Sequence, residues 1–150
     1  MLLRRLFLIL SFLVAAALHA AEPSAKPAKS EEPETPLTAQ MEAMNKSWRT
    51  IRRQVGDAGK TAETLGLVVE MKAHLAKATD FDPAMAAELP ADKRAAFVAD
   101  YHRDLGHLVA AVDQLEAALK AGDNAQATDI VQKMNDMRRD GHKRYKSDDK

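Results

Sequence analysis

The chain has 150 residues, enough for one domain, and carries 22 Lys and Arg, 22 Asp and Glu, and no Cys. The absence of Cys excludes disulfides, thiolate metal sites and a cofactor bonded covalently through a C-x-x-C-H motif. The zero formal net charge lacks the basic excess that is typical of nucleic-acid-binding proteins, so no nucleic-acid partner is expected.

The N-terminal residues have the pattern of a secretory signal peptide. Arg4 and Arg5 precede an apolar run at residues 6–17, and several small Ala residues follow it. This run is shorter than the roughly 20 apolar residues that span a bilayer. We predict a signal peptide over residues 1–20, cleaved near Ala20, with no stable membrane insertion afterwards. An uncleaved membrane anchor is the alternative.

A polar segment follows the predicted signal peptide. Residues 21–36 are rich in Pro, Glu, Lys and Ser and contain no large apolar side chain. Such a segment cannot bury enough surface to offset the entropy lost on ordering. We therefore predict a flexible linker over 21–36, a folded unit over 37–146 and a short C-terminal tail over 147–150.

The folded unit opens with two stretches that have helical periodicity. In the first, the apolar residues are spaced alternately four and three apart, and Gly56 and Gly59 end it. The second covers residues 60–78. The connection over 79–90 contains Pro83 and Pro90, which interrupt a helix and leave room for a short helical turn around Met85. The apolar residues of the first stretch are Leu37, Met41, Met44, Trp48, Ile51 and Val55.

Two further helical stretches complete the unit. The third covers residues 91–121 and stops at Gly122. The fourth begins at Asp123, and Gln126 stands three residues later, as in a capping box. Four helices with short connections predict an all-α fold, an antiparallel up-down-up-down four-helix bundle over 37–146.

This topology brings two distant residues to one end of the bundle. Met41 lies in the first turns of the first helix, and His142 lies in the last turns of the fourth. Both are predicted to face inward. Met41 belongs to the alternating apolar face of the first helix, and His142 is within about 20° of Val131 around the fourth helix. A thioether and an imidazole can together fill both axial positions of a haem iron. Spacing alone leaves the alternatives open that Met41 fills the core and His142 stabilises the helix dipole.

Other His residues offer weaker candidates for a metal site. His74, His102 and His107 form a candidate metal site together with Asp100 or Asp104, but His102 and Asp104 are two residues apart and so do not face each other on a helix. Surface His residues are the favoured interpretation. His107 borders the apolar face of the third helix, where it could line a haem pocket or replace a ligand.

Two segments carry a family resemblance. The stretches LTAQMEAMNKSWRTI at 37–51 and MRRDGHKRYK at 137–146 resemble the two ends of the cytochrome b562 family, and the similarity covers most of 37–146. In that family a Met of the first helix and a His near the end of the last are the axial haem ligands. The resemblance implies that Met41 and His142 bind the iron of one non-covalent haem b in a periplasmic electron carrier.

The remaining expectations follow from this resemblance. Met44, Leu105, Leu108 and Met137 would shield the macrocycle, and Arg138, Arg139 or Lys146 would hold the propionates. Because both axial positions are filled, no open site remains for a substrate, and the protein is not expected to be an enzyme. We expect a monomer that meets transient redox partner proteins. The alternative is a haem-free periplasmic helical bundle that acts as an interaction or chaperone-like protein.

Overall fold

The computed structural model describes residues 35–146, which form an antiparallel up-down-up-down four-helix bundle. This confirms the predicted all-α fold class, and the described residues contain no strand. The short helical turn expected around Met85 is a 3-10 turn at Ala84–Glu88. The predicted signal peptide, nearly all of the predicted linker and the tail at 147–150 lie outside the described residues. The helices are α1 (Pro36–Gln54), α2 (Thr61–Ala78), α3 (Ala91–Lys120) and α4 (Asn124–Tyr145), with a second 3-10 turn at Ala58–Lys60.

Helix α1 begins slightly earlier than its apolar pattern suggests. The Thr35 hydroxyl accepts a hydrogen bond of 3.1 Å from the Thr38 amide, so Thr35 is the N-cap. Pro36 is the first helical residue, a position where its fixed φ suits the helix and its missing N–H has no partner to lose. The predicted linker therefore ends one residue too late, because Pro36 belongs to the bundle.

The core follows the apolar faces of all four helices. Met44, Trp48, Ile51 and Val55 of the first face are buried, as the alternating spacing predicts. The buried Thr64 hydroxyl is satisfied, since it donates to the Lys60 carbonyl at 2.8 Å and accepts from Gln54 at 3.0 Å. The largest of the fully buried side chains are Ile51, Thr64, Val68, Leu75, Val112 and Leu115.

The junction between α3 and α4 is a Schellman motif. Gly122 adopts a left-handed φ of 71°, and its amide donates to the Leu119 carbonyl at 3.1 Å. The Asp123 amide donates to the Ala118 carbonyl at 2.9 Å, while its carboxylate caps α4 by accepting from the Gln126 amide at 2.9 Å. The predicted capping box is therefore only half formed, because the Asp123 N–H is already used by α3.

A substitution at this turn should lower stability. Replacing Gly122 with Ala is expected to reduce the free energy of unfolding by about 1–2 kcal/mol, because a Cβ disfavours the left-handed conformation. Gly106 in α3 is the matched control, since a Cβ there meets nothing within 4 Å. Gly106→Ala should raise stability by about 0.5–1 kcal/mol through helix propensity. Urea denaturation measures the free energy of unfolding of both variants. Equal changes in the two would contradict the left-handed conformation assigned to Gly122.

The four helix–helix seams are not equivalent. Helices adjacent in sequence pack closely on one another, whereas the backbones of α1 and α4 approach each other less. One end of this fourth seam is fastened by Asn124, whose amide nitrogen donates to the Val55 carbonyl at 2.9 Å and approaches the Thr61 hydroxyl at 3.2 Å. Within the described residues, no hydrogen bond or ion pair joins 36–54 to 124–145. The α1–α4 seam is thus held at one end and looser toward the other.

Candidate cofactor site between the first and last helices

A shallow pocket on the α1–α4 seam shows which sides of these helices face each other. Its volume is about 300 Å³. The α1 side contributes one residue, and α4 contributes residues on two successive turns. The lining residues are Arg52, Val131, Gln132, Asn135 and Asp136. We call the facing sides of these two helices the α1–α4 groove, and the pocket occupies the part of it nearer Asn124.

Met41 lies on the groove side of α1. It precedes Arg52 by eleven residues, which at 100° per residue places the two within about 20° of each other around the helix. Its side chain is half-buried and packs against the core. Asn45 lies between Met41 and Arg52 along the helix axis and is about 40° around the helix from Met41, so it is on the same side. Met41 is therefore directed toward α4 rather than toward α2.

His142 lies on the groove side of α4. It follows Val131 by eleven residues and Asn135 by seven, and each interval brings it within about 20° of these groove residues. Arg144, by contrast, reaches around the other side of α4 and donates to Asp104 of α3 at 2.7 Å. His142 is therefore directed toward α1, as Met41 is toward α4.

The two residues also lie at similar heights in the bundle. Met41 is fourteen residues before Val55, and Arg138 is fourteen residues after Asn124, so both are about 21 Å from the hydrogen bond that joins Val55 to Asn124. His142 lies about one turn farther along α4. The fold thus brings Met41 and His142 to the same end of the α1–α4 groove.

The burial of His142 differs from the expectation. The sequence pattern predicts an inward-facing ring, whereas the side chain is exposed, because its position lies at the edge of the α4 core face where the groove is loose. The surrounding protein still removes enough water to lower the pKa of His142, and the charges of Arg138 and Lys146 lower the pKa further. The lowered pKa favours the neutral ring, which is the form that binds metal.

The predicted lining residues occupy different depths. Met44 and Leu105 are buried in the core, and Leu108 is partly buried against it. Arg138 is half-buried, and its Nε is buried without a hydrogen-bond partner. An unsatisfied buried donor is uncommon in proteins and suits an anionic group placed beside it.

An aromatic cluster closes the same end of the bundle on the α3 side. The Tyr145 ring packs edge-on against Tyr101, with ring centroids 5.2 Å apart, and against Phe97 at 5.3 Å. The Tyr145 hydroxyl donates to Asp104 at 2.7 Å. The Tyr101 hydroxyl is buried without a partner, and burial, followed by the Asp82 and Tyr145 charges, raises the pKa of Tyr101 to about 12.

The family model for cytochrome b562 matches residues 36–146, almost the whole of the described region. The chain belongs to the cytochrome b562 family. Cytochrome b562 proteins are haem-binding electron carriers, typically periplasmic and generally not enzymes. Comparisons with curated proteins and with solved structures found no match. No helix within residues 35–146 is long and apolar enough to cross a membrane.

The residues of this cytochrome b562 family member fit a haem b. Met41 and His142 offer a soft thioether and a neutral imidazole on the facing sides of two helices, which is a chemically suitable axial pair. Arg138 offers an unsatisfied donor at the height of Met41, and the Tyr101 hydroxyl is a second unsatisfied donor near the same end. Met44 and Leu105 supply an apolar wall beneath them.

The other His residues do not assemble into a metal site. The ring of His74 bonds Gln40 of α1 at 2.8 Å, and the ring of His102 bonds Asp82 at 2.8 Å, while His107 is exposed. Between Thr35 and Lys146, no group of three or more His, Asp or Glu residues could hold a metal ion. His107 lies on α3, whereas the pocket is lined only by residues of α1 and α4.

Sequence reasoning missed several residues near this candidate site. Arg52 and Asn135 line the groove, although only their helical phase relative to Met41 and His142 could have indicated it. The unsatisfied Tyr101 hydroxyl has no sequence signal, because the pattern shows only an aromatic residue on a core face. The Asn124 hydrogen bonds equally depend on the packed geometry of three elements.

The Tyr101 hydroxyl should lower the stability of the haem-free bundle. Tyr101→Phe removes a buried group that lacks a partner, so we expect the free energy of unfolding to rise by about 1 kcal/mol. Tyr145→Phe is the matched control, because its hydroxyl bonds Asp104 at 2.7 Å and its loss should lower stability by about 1 kcal/mol. Urea denaturation of the haem-free protein compares the two. A loss in both variants would show that the Tyr101 hydroxyl has a partner.

Proposed function

We propose that this chain is a periplasmic electron carrier that binds one non-covalent haem b through Met41 and His142. The observation that supports this most directly is that both residues lie on the facing sides of α1 and α4, at the same end of the α1–α4 groove. Membership of the cytochrome b562 family supports the haem-binding part of the proposal.

The two proposed ligands have complementary properties. The lowered pKa of His142 favours the neutral ring, whose nitrogen can bind iron without first losing a proton. The Met41 thioether favours the ferrous state and raises the reduction potential relative to a second imidazole. When bound, the haem supplies one reversible electron at its iron. With Met41 and His142 both holding the iron, neither oxygen nor a substrate would gain direct access to the metal.

Other side chains of the chain would fix and shield the group. Met44 and Leu105 form a buried apolar surface below the ligands, and Leu108 extends it on α3, so water is excluded from that side. The buried Nε of Arg138 would donate a hydrogen bond to a propionate. Because the chain contains no Cys, the group would be held by these contacts alone.

A visible spectrum of the mature protein tests the proposal. The full chain, exported to a periplasm and purified, is measured before and after dithionite, and the haem content is compared with the protein concentration. We expect one haem per chain, sharp reduced bands of a low-spin iron, and complete extraction of the pigment into acidified butanone. A missing Soret band, even after haemin is added, would remove this function and leave a haem-free helical bundle that binds other proteins.

The predicted location is tested on the same material. Cleavage of the signal peptide after residue 20 would give a mature chain that begins at residue 21, which intact-mass measurement reports directly. Recovery in the periplasmic fraction with the leader removed supports a soluble exported carrier. Recovery in the membrane fraction with residues 1–20 retained would favour the uncleaved anchor instead.

A further inference from the structure

The helices divide into a basic pair and a slightly acidic pair, although the whole chain is neutral. Helices α1 and α4 carry nine Lys and Arg and four Asp and Glu, a formal charge of +5. Helices α2 and α3 carry six Lys and Arg and seven Asp and Glu, a formal charge of −1. The positive side of the bundle is therefore the side that contains the α1–α4 groove.

Four exposed cations border this groove, and we call them the basic rim: Arg49, Arg52, Arg139 and Lys143. Arg52 lines the groove itself. Arg49 is about 80° around α1 from Met41, and Lys143 is about 100° around α4 from His142, so both lie on the solvent side of the proposed ligands. Arg49 and Arg52 lie about 12 and 17 Å along α1 from Met41, so the basic rim borders the groove along its length, with Arg139 and Lys143 at the end that holds His142.

The rim cations are less neutralised than those on the opposite face. Arg139 pairs with Asp136, whereas Arg49, Arg52 and Lys143 form no ion pair with any described residue. On the α2–α3 side, Lys72 bridges Asp113 at 2.7 Å and Glu116 at 3.0 Å. Arg103 and Lys120 are also paired with carboxylates there, whereas Lys77, Lys93 and Arg94 are not paired within residues 35–146, so half of the cations on α2 and α3 are neutralised but only one of the four on the rim. A nearby partner would experience the positive field of the rim despite the zero net charge.

We propose that the basic rim is the docking surface for an acidic face of a redox partner protein. This inference rests on the proposed electron-carrier function and adds the chemistry of the partner. Charges that surround the site of electron transfer accelerate encounter and orient the two proteins, and a few such charges act over the Debye length of about 8 Å at physiological salt. A partner with carboxylates around its own redox centre would thereby be drawn to the haem edge.

The composition of the groove favours a protein over a membrane or a nucleic acid. The cations alternate with Glu42 and Asp136, and the amides of Asn45, Gln132 and Asn135 lie between them. A surface of mixed sign and hydrogen-bonding amides matches the polar rim of a protein–protein interface. An array of phosphates would be repelled by the interspersed carboxylates, and the concave groove would not lie flat on a bilayer.

Small redox probes of opposite charge test the field around the haem. The reduced, haem-loaded protein is oxidised by hexacyanoferrate(III) and, separately, by tris(1,10-phenanthroline)cobalt(III). Raising the ionic strength from about 10 to 200 mM should slow the anionic oxidant about tenfold and accelerate the cationic one. Equal salt dependence for both oxidants would overturn the proposal.

Charge-reversal variants show which part of the surface produces the salt dependence of the oxidation rates. Arg49→Glu combined with Lys143→Glu should reverse both salt dependences. The matched control is Lys77→Glu combined with Lys93→Glu, which changes the net charge equally at exposed positions of α2 and α3. The control should leave both salt dependences nearly unchanged. Similar behaviour of the two double variants would show that only net charge matters and would contradict a localised rim.

A binding measurement that needs no haem separates this proposal from the proposed function. Poly-L-glutamate is added to the isotope-labelled mature protein, and amide NMR shifts are expected at α1 and α4 and should be lost in Arg49→Glu/Lys143→Glu. Shifts on α2 and α3, or stronger binding to phosphatidylglycerol vesicles than to the acidic peptide, would overturn the docking surface. A colourless protein would remove the proposed function, whereas a coloured protein without rim shifts would remove only the docking surface.

Discussion

Replacing His142 with Ala is expected to remove the low-spin haem spectrum and to produce the largest loss of haem affinity of any single substitution. The ring is the proposed iron ligand on α4, and its lowered pKa favours the neutral form that binds metal. The affinity should fall by more than the roughly 100-fold that is lost when a hydrogen-bond partner of a metal ligand is removed. Haemin titration followed at the Soret band measures the change.

The His142 experiment has a matched control on α3. His107 is also exposed and in a helix, so His107→Ala removes an equivalent side chain from a position that does not face the groove. Its spectrum and haem affinity should equal those of the unmodified protein. Because His142 is exposed, His142→Ala should leave the unfolding free energy of the haem-free bundle within about 0.5 kcal/mol. A low-spin spectrum that survives in His142→Ala would contradict the assignment of the ligand.

Replacing Met41 with Leu is expected to lower the reduction potential and to convert much of the iron from low spin to high spin. The substitution removes the thioether sulfur while nearly conserving the side-chain volume, so packing should cost less than about 1.5 kcal/mol. The loss of Met ligation removes the preference for ferrous iron. Spectroelectrochemical titration reports the potential, and the visible bands report the spin state.

A second Met separates the chemistry of sulfur from packing. Met71 of α2 is buried in the core but lies away from the groove, so Met71→Leu tests the effect of the same replacement on the bundle alone. Its potential and spectrum should not change. If Met41→Leu and Met71→Leu behave alike, Met41 serves as core filler and another residue completes the coordination of the iron.

Much of the fold could be predicted because the information is local and periodic. The alternating spacing of four and three places Met44, Ile51 and Val55 on one face, and these side chains are buried. Gly122 marks the α3–α4 turn because few other residues adopt a positive φ. Helix order alone predicts that Met41 and His142 lie at the same end of the bundle, since α1 and α4 are antiparallel neighbours.

The remaining features depend on packing between elements, which spacing does not contain. The exposure of His142 is set by how closely α1 approaches α4 at that end, and helical phase alone suggested an inward ring. The Asp123 amide donates to the Ala118 carbonyl rather than to the Gln126 side chain, because the Schellman turn competes with the capping box. The ligand roles of Met41 and His142 remain predictions until a spectrum is measured.

The Asn124 hydrogen bonds have a consequence for the order in which the molecule is assembled. Three helix interfaces join sequence neighbours, so the chain closes only short loops to form them, and such topologies fold rapidly. The interface between α1 and α4 is the exception, and Asn124 fixes only its far end. A group bound between Met41 and His142 would join α1 to α4 after both helices have packed into the bundle. Loading and loss of that group would then proceed without unfolding the three hairpins beneath it.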